Sequence, residues 1–104
     1  GSDGALWFTE NYPPKIGRIT TDGDITEFEM CPGTGPVGIT AGPDKAIWFT
    51  EYNGNRIGRI SIEGAITEYV IPTPRSKPYS IVAGPDGAIW FTELYGNKIG
   101  RLQP

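Results

Sequence analysis

The sequence predicts an all-β fold made of β-propeller blades, and three observations point to it. A phrase recurs as ALWFTENYPPKIGRI (5–19), AIWFTEYNGNRIGRI (46–60) and AIWFTELYGNKIGRL (88–102). Its anchors are 41 residues apart from Asp3 to Asp44 and 42 from Asp44 to Asp86. A period in the low forties is that of a four-stranded propeller blade. Helical apolar spacing is missing throughout, and short apolar runs alternate with turn residues roughly every 8–12 positions.

The central unit justifies each element in order. Val37–Ala41 reads as the first strand, closed by the turn Gly42-Pro43-Asp44-Lys45, whose proline favours a type I turn. Ala46–Thr50 is the second strand, apolar on both faces as a strand between stacked sheets must be. Tyr52-Asn53-Gly54-Asn55 is its hairpin loop, Arg56–Ile60 the third strand, and Glu63-Gly64 the next turn. Ile66–Val70 is the fourth, with the alternation of an outer edge. Gly17, Gly58 and Gly100 each interrupt a third strand. A glycine inside a strand marks close approach, here expected from the Trp of a neighbouring blade.

With strands lettered A to D from the inside out, the chain reads BCD, ABCD, ABC. The units are 3–43, 44–85 and 86–104, one partial propeller over 1–104. Such units cannot bury their faces alone. Association is expected, with a second copy in a six-sheet ring or with a missing remainder.

Composition narrows the function. The net charge of −3 argues against nucleic acid. No apolar run approaches a membrane span and no signal peptide opens the chain. Cys31 is the single cysteine, which excludes an internal disulfide and suits a reducing cytoplasm. Histidine is absent. The usual general base near neutral pH and every Ser-His or Cys-His nucleophile are therefore missing.

A residue present in every unit serves what every unit needs. Trp7, Trp48 and Trp90 are assigned to packing between blades. Arg18, Arg59 and Arg101 are expected to pair with a neighbouring blade's acid, such as Glu27 or Glu68. Glu10, Glu51 and Glu93 have two readings: a cation site near the axis, or a local clamp on the turn through backbone N–H groups or a nearby base. Variable positions are freer to bind. The B–C loops and the connection 72–79 belong on one face, around the channel mouth. They present Tyr12, Tyr52, Asn53, Tyr79 and Tyr95 beside Arg75 and Lys77. Tyrosines with two cations suit a small polar or anionic ligand, or a protein partner; ordinary exposed loops are the plainer reading. Cys31, in a shortened connection, has no nearby group to activate it.

The phrase GPDGAIWFTE…GNKIGRL, with ITEY and PTPRSKPY, resembles the repeat of the streptogramin B lyases (virginiamycin B lyases) over essentially the whole chain. The resemblance implies a seven-bladed propeller that opens cyclic streptogramin antibiotics by a magnesium-dependent elimination. It also implies a catalytic histidine just after a proline at the start of an innermost strand. The matching positions hold Val37 after Pro36 and Tyr79 after Pro78. No catalytic residue is therefore carried over, and no cofactor is expected in this chain. Two readings follow. One is an inactive partial propeller that closes by self-association, with a dimer favoured. The other is a fragment of a lyase whose catalytic blades lie elsewhere.

Overall fold

The computed structural model describes residues 4–11 and 13–104. Among the described residues ten strands form three antiparallel sheets. The first sheet orders β1 (Leu6–Asn11), β2 (Pro14–Ile19) and β3 (Ile25–Glu29). The second is β4 (Pro36–Ala41), β5 (Ile47–Glu51), β6 (Arg56–Ile60) and β7 (Ile66–Val70). The third is β8 (Pro78–Ala83), β9 (Ile89–Glu93) and β10 (Lys98–Leu102). This is the expected BCD, ABCD, ABC arrangement, unclosed. Among the described residues no helix is long and apolar enough to cross a membrane.

The sheets stack face to face, so the middle one is apolar on both sides. Ile47 and Phe49 point to the first sheet and pack with Ile16 and Ile60. Trp48 and Ile57 point to the third and pack with Ile71, Ile89 and Phe91. Every residue of β5 is buried, whereas every residue of β7 is exposed, as an outer strand should be. Burying each large side chain contributes about 1.5–3 kcal/mol. The outward faces of the end sheets stay open: Leu6 is 72% and Ile25 61% exposed on one side, Val82 57% and Ile99 65% on the other.

The in-strand glycines do make room for an aromatic ring, but not for a tryptophan of another blade. A Cβ on Gly58 would lie 2.2 Å from Phe49 of the paired strand, and Gly17 and Gly100 stand in the same relation to Phe8 and Phe91. Each ring lies flat across its own sheet because the facing residue has no side chain. The tryptophans instead lie over the glycine that ends strand A, Trp48 over Gly42 and Trp90 over Gly84.

The periodic arginines also differ from expectation. Arg59 Nε donates to Asp44 Oδ2 at 2.8 Å, and Arg101 Nε to Asp86 Oδ2 at 3.2 Å. The partner is thus the aspartate of the same blade. Its other oxygen accepts from Trp48 Nε1 at 3.0 Å and the Ala46 amide at 3.2 Å. Burial works against the ionised Asp44, but these donors outweigh it and hold its carboxyl below the usual range. In the second and third sheets one aspartate, Asp44 or Asp86, therefore locks turn, tryptophan and arginine together. Glu27 and Glu68 pair with Lys15 and Arg56, each at 3.2 Å.

Candidate ligand-binding mouth

Strands A of successive blades lie side by side, and each carries a β-bulge. The register of β4 on β5 shifts between Pro36 and Ile39, and that of β8 on β9 between Pro78 and Ile81. A bulge re-aims side chains and leaves backbone groups off the ladder. Threonine takes up those groups. Gly38 N donates to Thr50 Oγ1, and Thr50 Oγ1 donates to Tyr79 O of the next blade, both at 2.9 Å. Thr9 Oγ1 donates to Val37 O, and Ser80 N to Thr92 Oγ1, at 3.0 Å each. The threonine of the repeated phrase thus stitches neighbouring blades at the positions where the family resemblance calls for histidine.

The connections between strands D and A meet the B–C loops at one end of the sheets. Tyr52 N donates to Gly35 O at 2.9 Å, and Tyr95 N to Ser76 O at 2.9 Å. Asn55 fixes the longer connection. Its Nδ2 donates to Ile71 O and Thr73 O, and its Oδ1 accepts from Ser76 N and Ser76 Oγ. Ser76 is fully buried. Arg75 and Lys77 flank it with φ of 52° and 53°. That left-handed backbone costs a residue with a side chain roughly 1–2 kcal/mol, and the four Asn55 bonds offset it.

The clamp brings together five of the seven predicted mouth residues. The Tyr52 and Tyr79 rings meet edge to face at 6.3 Å. Lys77 Nζ lies 5.0 Å from the Tyr52 ring centre and 5.9 Å from that of Tyr95. It also reaches Asn53 Oδ1 at 3.5 Å. No carboxylate among the described residues pairs with Lys77. Arg75 is exposed on the same connection but does not join the cluster, and Tyr12 lies outside the described residues. Beside Asn53 opens a largely apolar hollow of about 470 Å³ lined by Asn11, Pro13, Pro14, Pro32, Gly33 and Gly35. Cys31 is exposed, and its carbonyl accepts from Thr34 Oγ1 at 3.0 Å.

The three repeated glutamates do not converge. Among the described residues no three His, Cys, Asp or Glu side chains gather as a metal site requires. Val37 and Tyr79, at the bulges, are not ligands of a hard cation in the way a histidine–carboxylate set would be. The residues present do not fit a magnesium ion. Glu51 is fully buried, and of the expected clamp it shows the nearby base, Arg56 Nη1 at 3.9 Å, while neither oxygen accepts a hydrogen bond from an N–H or hydroxyl. Burial first, and the adjacent Glu68 second, push its carboxyl up to about 8. Glu10 is raised in the same sense, chiefly by its hydrogen bond with Glu27.

The sequence grouped Tyr52, Asn53, Lys77, Tyr79 and Tyr95, which lie together, but the reading missed Thr9, Thr50, Thr92, Asn55 and Ser76. Their signals were present. The threonines recur in every unit, and Asn55 recurs as Asn97, with φ of 57° and 55°.

The whole chain, residues 1–104, matches the virginiamycin B lyase family. It is similar to selenomethionine-substituted virginiamycin B lyase from Staphylococcus aureus, with 59% identity and a TM-score of 0.96 over all of this chain and 36% of that one. It is also similar to a catalytically inactive variant of that enzyme with quinupristin, at 60% identity and a TM-score of 0.94, over 97% of this chain and 35% of that one. A streptogramin B lyase structure matches at 48% identity and a TM-score of 0.85, over 100% and 38% of the two chains. The chain therefore spans little more than a third of these relatives. No curated protein matches it.

Proposed function

The chain belongs to the virginiamycin B lyase family, and we propose that it forms a rigid three-sheet portion of a streptogramin B lyase propeller that lines the antibiotic's mouth. By itself it carries out no elimination. One observation carries this reading: the chain follows a quinupristin-bound lyase variant over 97% of its own length, yet covers 35% of that chain and contains no histidine. Opening a cyclic depsipeptide by elimination needs a base at an α-carbon, and the chain has no histidine to supply it. What the mouth offers is contact: the apolar prolines for the ring's hydrophobic side chains, and Lys77 with the Tyr52, Tyr79 and Tyr95 hydroxyls for its carbonyls. Free Cys31 suits the reducing cytoplasm. Titrating quinupristin into the ¹⁵N-labelled chain should shift the Tyr52, Lys77, Tyr79 and Tyr95 amides together. Shifts confined to other surfaces would contradict the assignment.

A second reading rests on the two open end faces, where Leu6 and Ile25 face outward on one side and Val82 and Ile99 on the other. Two copies stacked head to tail would cover them and close six sheets into a ring. Light scattering across a concentration series separates the readings: a stable mass of twice 11.3 kDa supports the ring, and a constant monomer mass rejects it.

A further inference from the structure

The two connections between strands D and A make the same bend with different residues. In the first, Tyr52 N donates to Gly35 O and Asn53 N to Thr34 O. In the second, Leu94 N donates to Lys77 O and Tyr95 N to Ser76 O. Thr34 and Ser76 are both buried. Gly35 therefore corresponds to Lys77, and Gly33 to Arg75. All four have left-handed backbone, with φ of 58° and 86° at Gly35 and Gly33, and 53° and 52° at Lys77 and Arg75. Glycine adopts that conformation freely, whereas a residue with a Cβ is strained in it. The first connection makes the bend without side chains at these positions. The second holds two cations there against the strain. Backbone strain of this kind is kept where the side chain it presents has a use.

Lys77 presents a charge that the chain does not neutralise. Its ammonium lies 5.0 Å from the Tyr52 ring centre and 5.9 Å from that of Tyr95. Aromatic faces hold a cation in place and leave its charge intact. Lys77 Nζ donates to Asn53 Oδ1 at 3.5 Å. An ammonium has three donors, and among the described residues no other acceptor meets Lys77. The ion pairs of the described residues include neither Lys77 nor Arg75. Arg75 is exposed two residues away. A fixed ammonium on a tyrosine platform, with a second cation beside it, recognises an anion.

Elimination at an ester determines which anion that is. The α-proton goes to a base, its electron pair becomes the new double bond, and the bond from the β-carbon to the ester oxygen breaks. The oxygen departs with its acyl group as a carboxylate. The cyclic depsipeptide is neutral at this ester, and the opened product carries a full negative charge there. We infer that Lys77 binds the carboxylate released when the depsipeptide ring opens, with Arg75 adding to the positive field. This deepens the lyase reading and rests on it; the base is not supplied by this chain.

The probes are quinupristin, the linear peptide made from it by a complete lyase, and the methyl ester of that linear peptide. Each is titrated into the ¹⁵N-labelled chain. The linear acid should shift the Tyr52, Lys77 and Tyr95 amides at about tenfold lower concentration than its ester, as a charge-assisted hydrogen bond gives. Lys77→Arg should keep that preference. Lys77→Gly should erase it without lowering Tm, since glycine suits the left-handed backbone. Equal binding of acid and ester, or a preference that survives Lys77→Gly, overturns the inference and leaves the mouth reading in place. A lower Tm for Lys77→Gly would make the lysine structural and overturn it too. Failure of cyclic quinupristin to shift the mouth amides overturns the mouth reading, and this inference with it.

Discussion

Thr50 Oγ1 sits 2.9 Å from Tyr79 O and spans the boundary between the second and third sheets with a single hydroxyl. The same oxygen accepts the Gly38 amide of its own blade at 2.9 Å. Thr50→Val keeps the shape and removes both bonds, leaving the Gly38 amide and the Tyr79 carbonyl without partners. The expected loss is about 1–3 kcal/mol in denaturant unfolding. Thr50→Ser keeps the hydroxyl and should cost less than half as much. Equal losses for the two would mean that the methyl, not the stitch, matters.

Phe49 occupies the space that a side chain at Gly58 would need. Gly58→Ala should destabilise by about 1–3 kcal/mol through overpacking. Phe49→Leu should cost stability alone, yet relieve part of the Gly58→Ala penalty. The double mutant would then be more stable than the sum of the singles predicts. Strict additivity would show that the ring is not what Gly58 accommodates.

The buried Glu51 makes stability depend on pH in a direction opposite to most carboxylates. Its carboxyl is pushed up to about 8 when folded, above the ordinary 4.5. The folded chain therefore holds a proton that the unfolded chain releases between those values. The contribution is complete at pH below 4.5 and fades as pH rises towards 8, by at most about 1.4 kcal/mol per unit. Glu10 acts in the same sense, whereas Asp44 and Asp86, lowered by their donors, act only in strong acid. Melting curves from pH 5 to 8 should show a falling Tm, and Glu51→Gln should flatten it. A wild-type Tm that rises over this range would contradict the buried proton.

Asn55 holds the mouth. Asn55→Ala removes the acceptor of the Ser76 amide and hydroxyl and the donor to Ile71 and Thr73. A loss of about 1–3 kcal/mol follows. Hydrogen exchange at Ser76 and Lys77 should accelerate more than exchange in β5. Uniform acceleration would assign Asn55 to global stability and not to the connection.

Much of this was legible in the residues. Period, turns and alternation placed the four strands of the central unit within a residue of their observed ends, because each strand of a stacked sheet must declare its two faces. The start of the second strand slipped from Ala46 to Ile47, since the Ala46 amide is drawn off the ladder by Asp44. Pairings across register were less legible. Nothing in a periodic Arg distinguishes the acid beside it in sequence space from the one beside it on the sheet. The choice of Asp44 over Glu68 for Arg59 depends on which face of β6 each side chain takes. The clamp was hidden for another reason: Asn55 and Ser76 are 21 residues apart, and loop conformation joins them. The clustering of these loops was readable because loop ends of antiparallel sheets must fall on one side.

The central claim is that these sheets shape a streptogramin mouth without performing the elimination. Incubating the purified chain with quinupristin and Mg²⁺, and following ring opening by chromatography with mass detection, tests it most directly. The account predicts intact cyclic antibiotic after prolonged incubation, while a complete lyase under the same conditions linearises it. Catalytic accumulation of the linear product by this histidine-free chain would contradict the account.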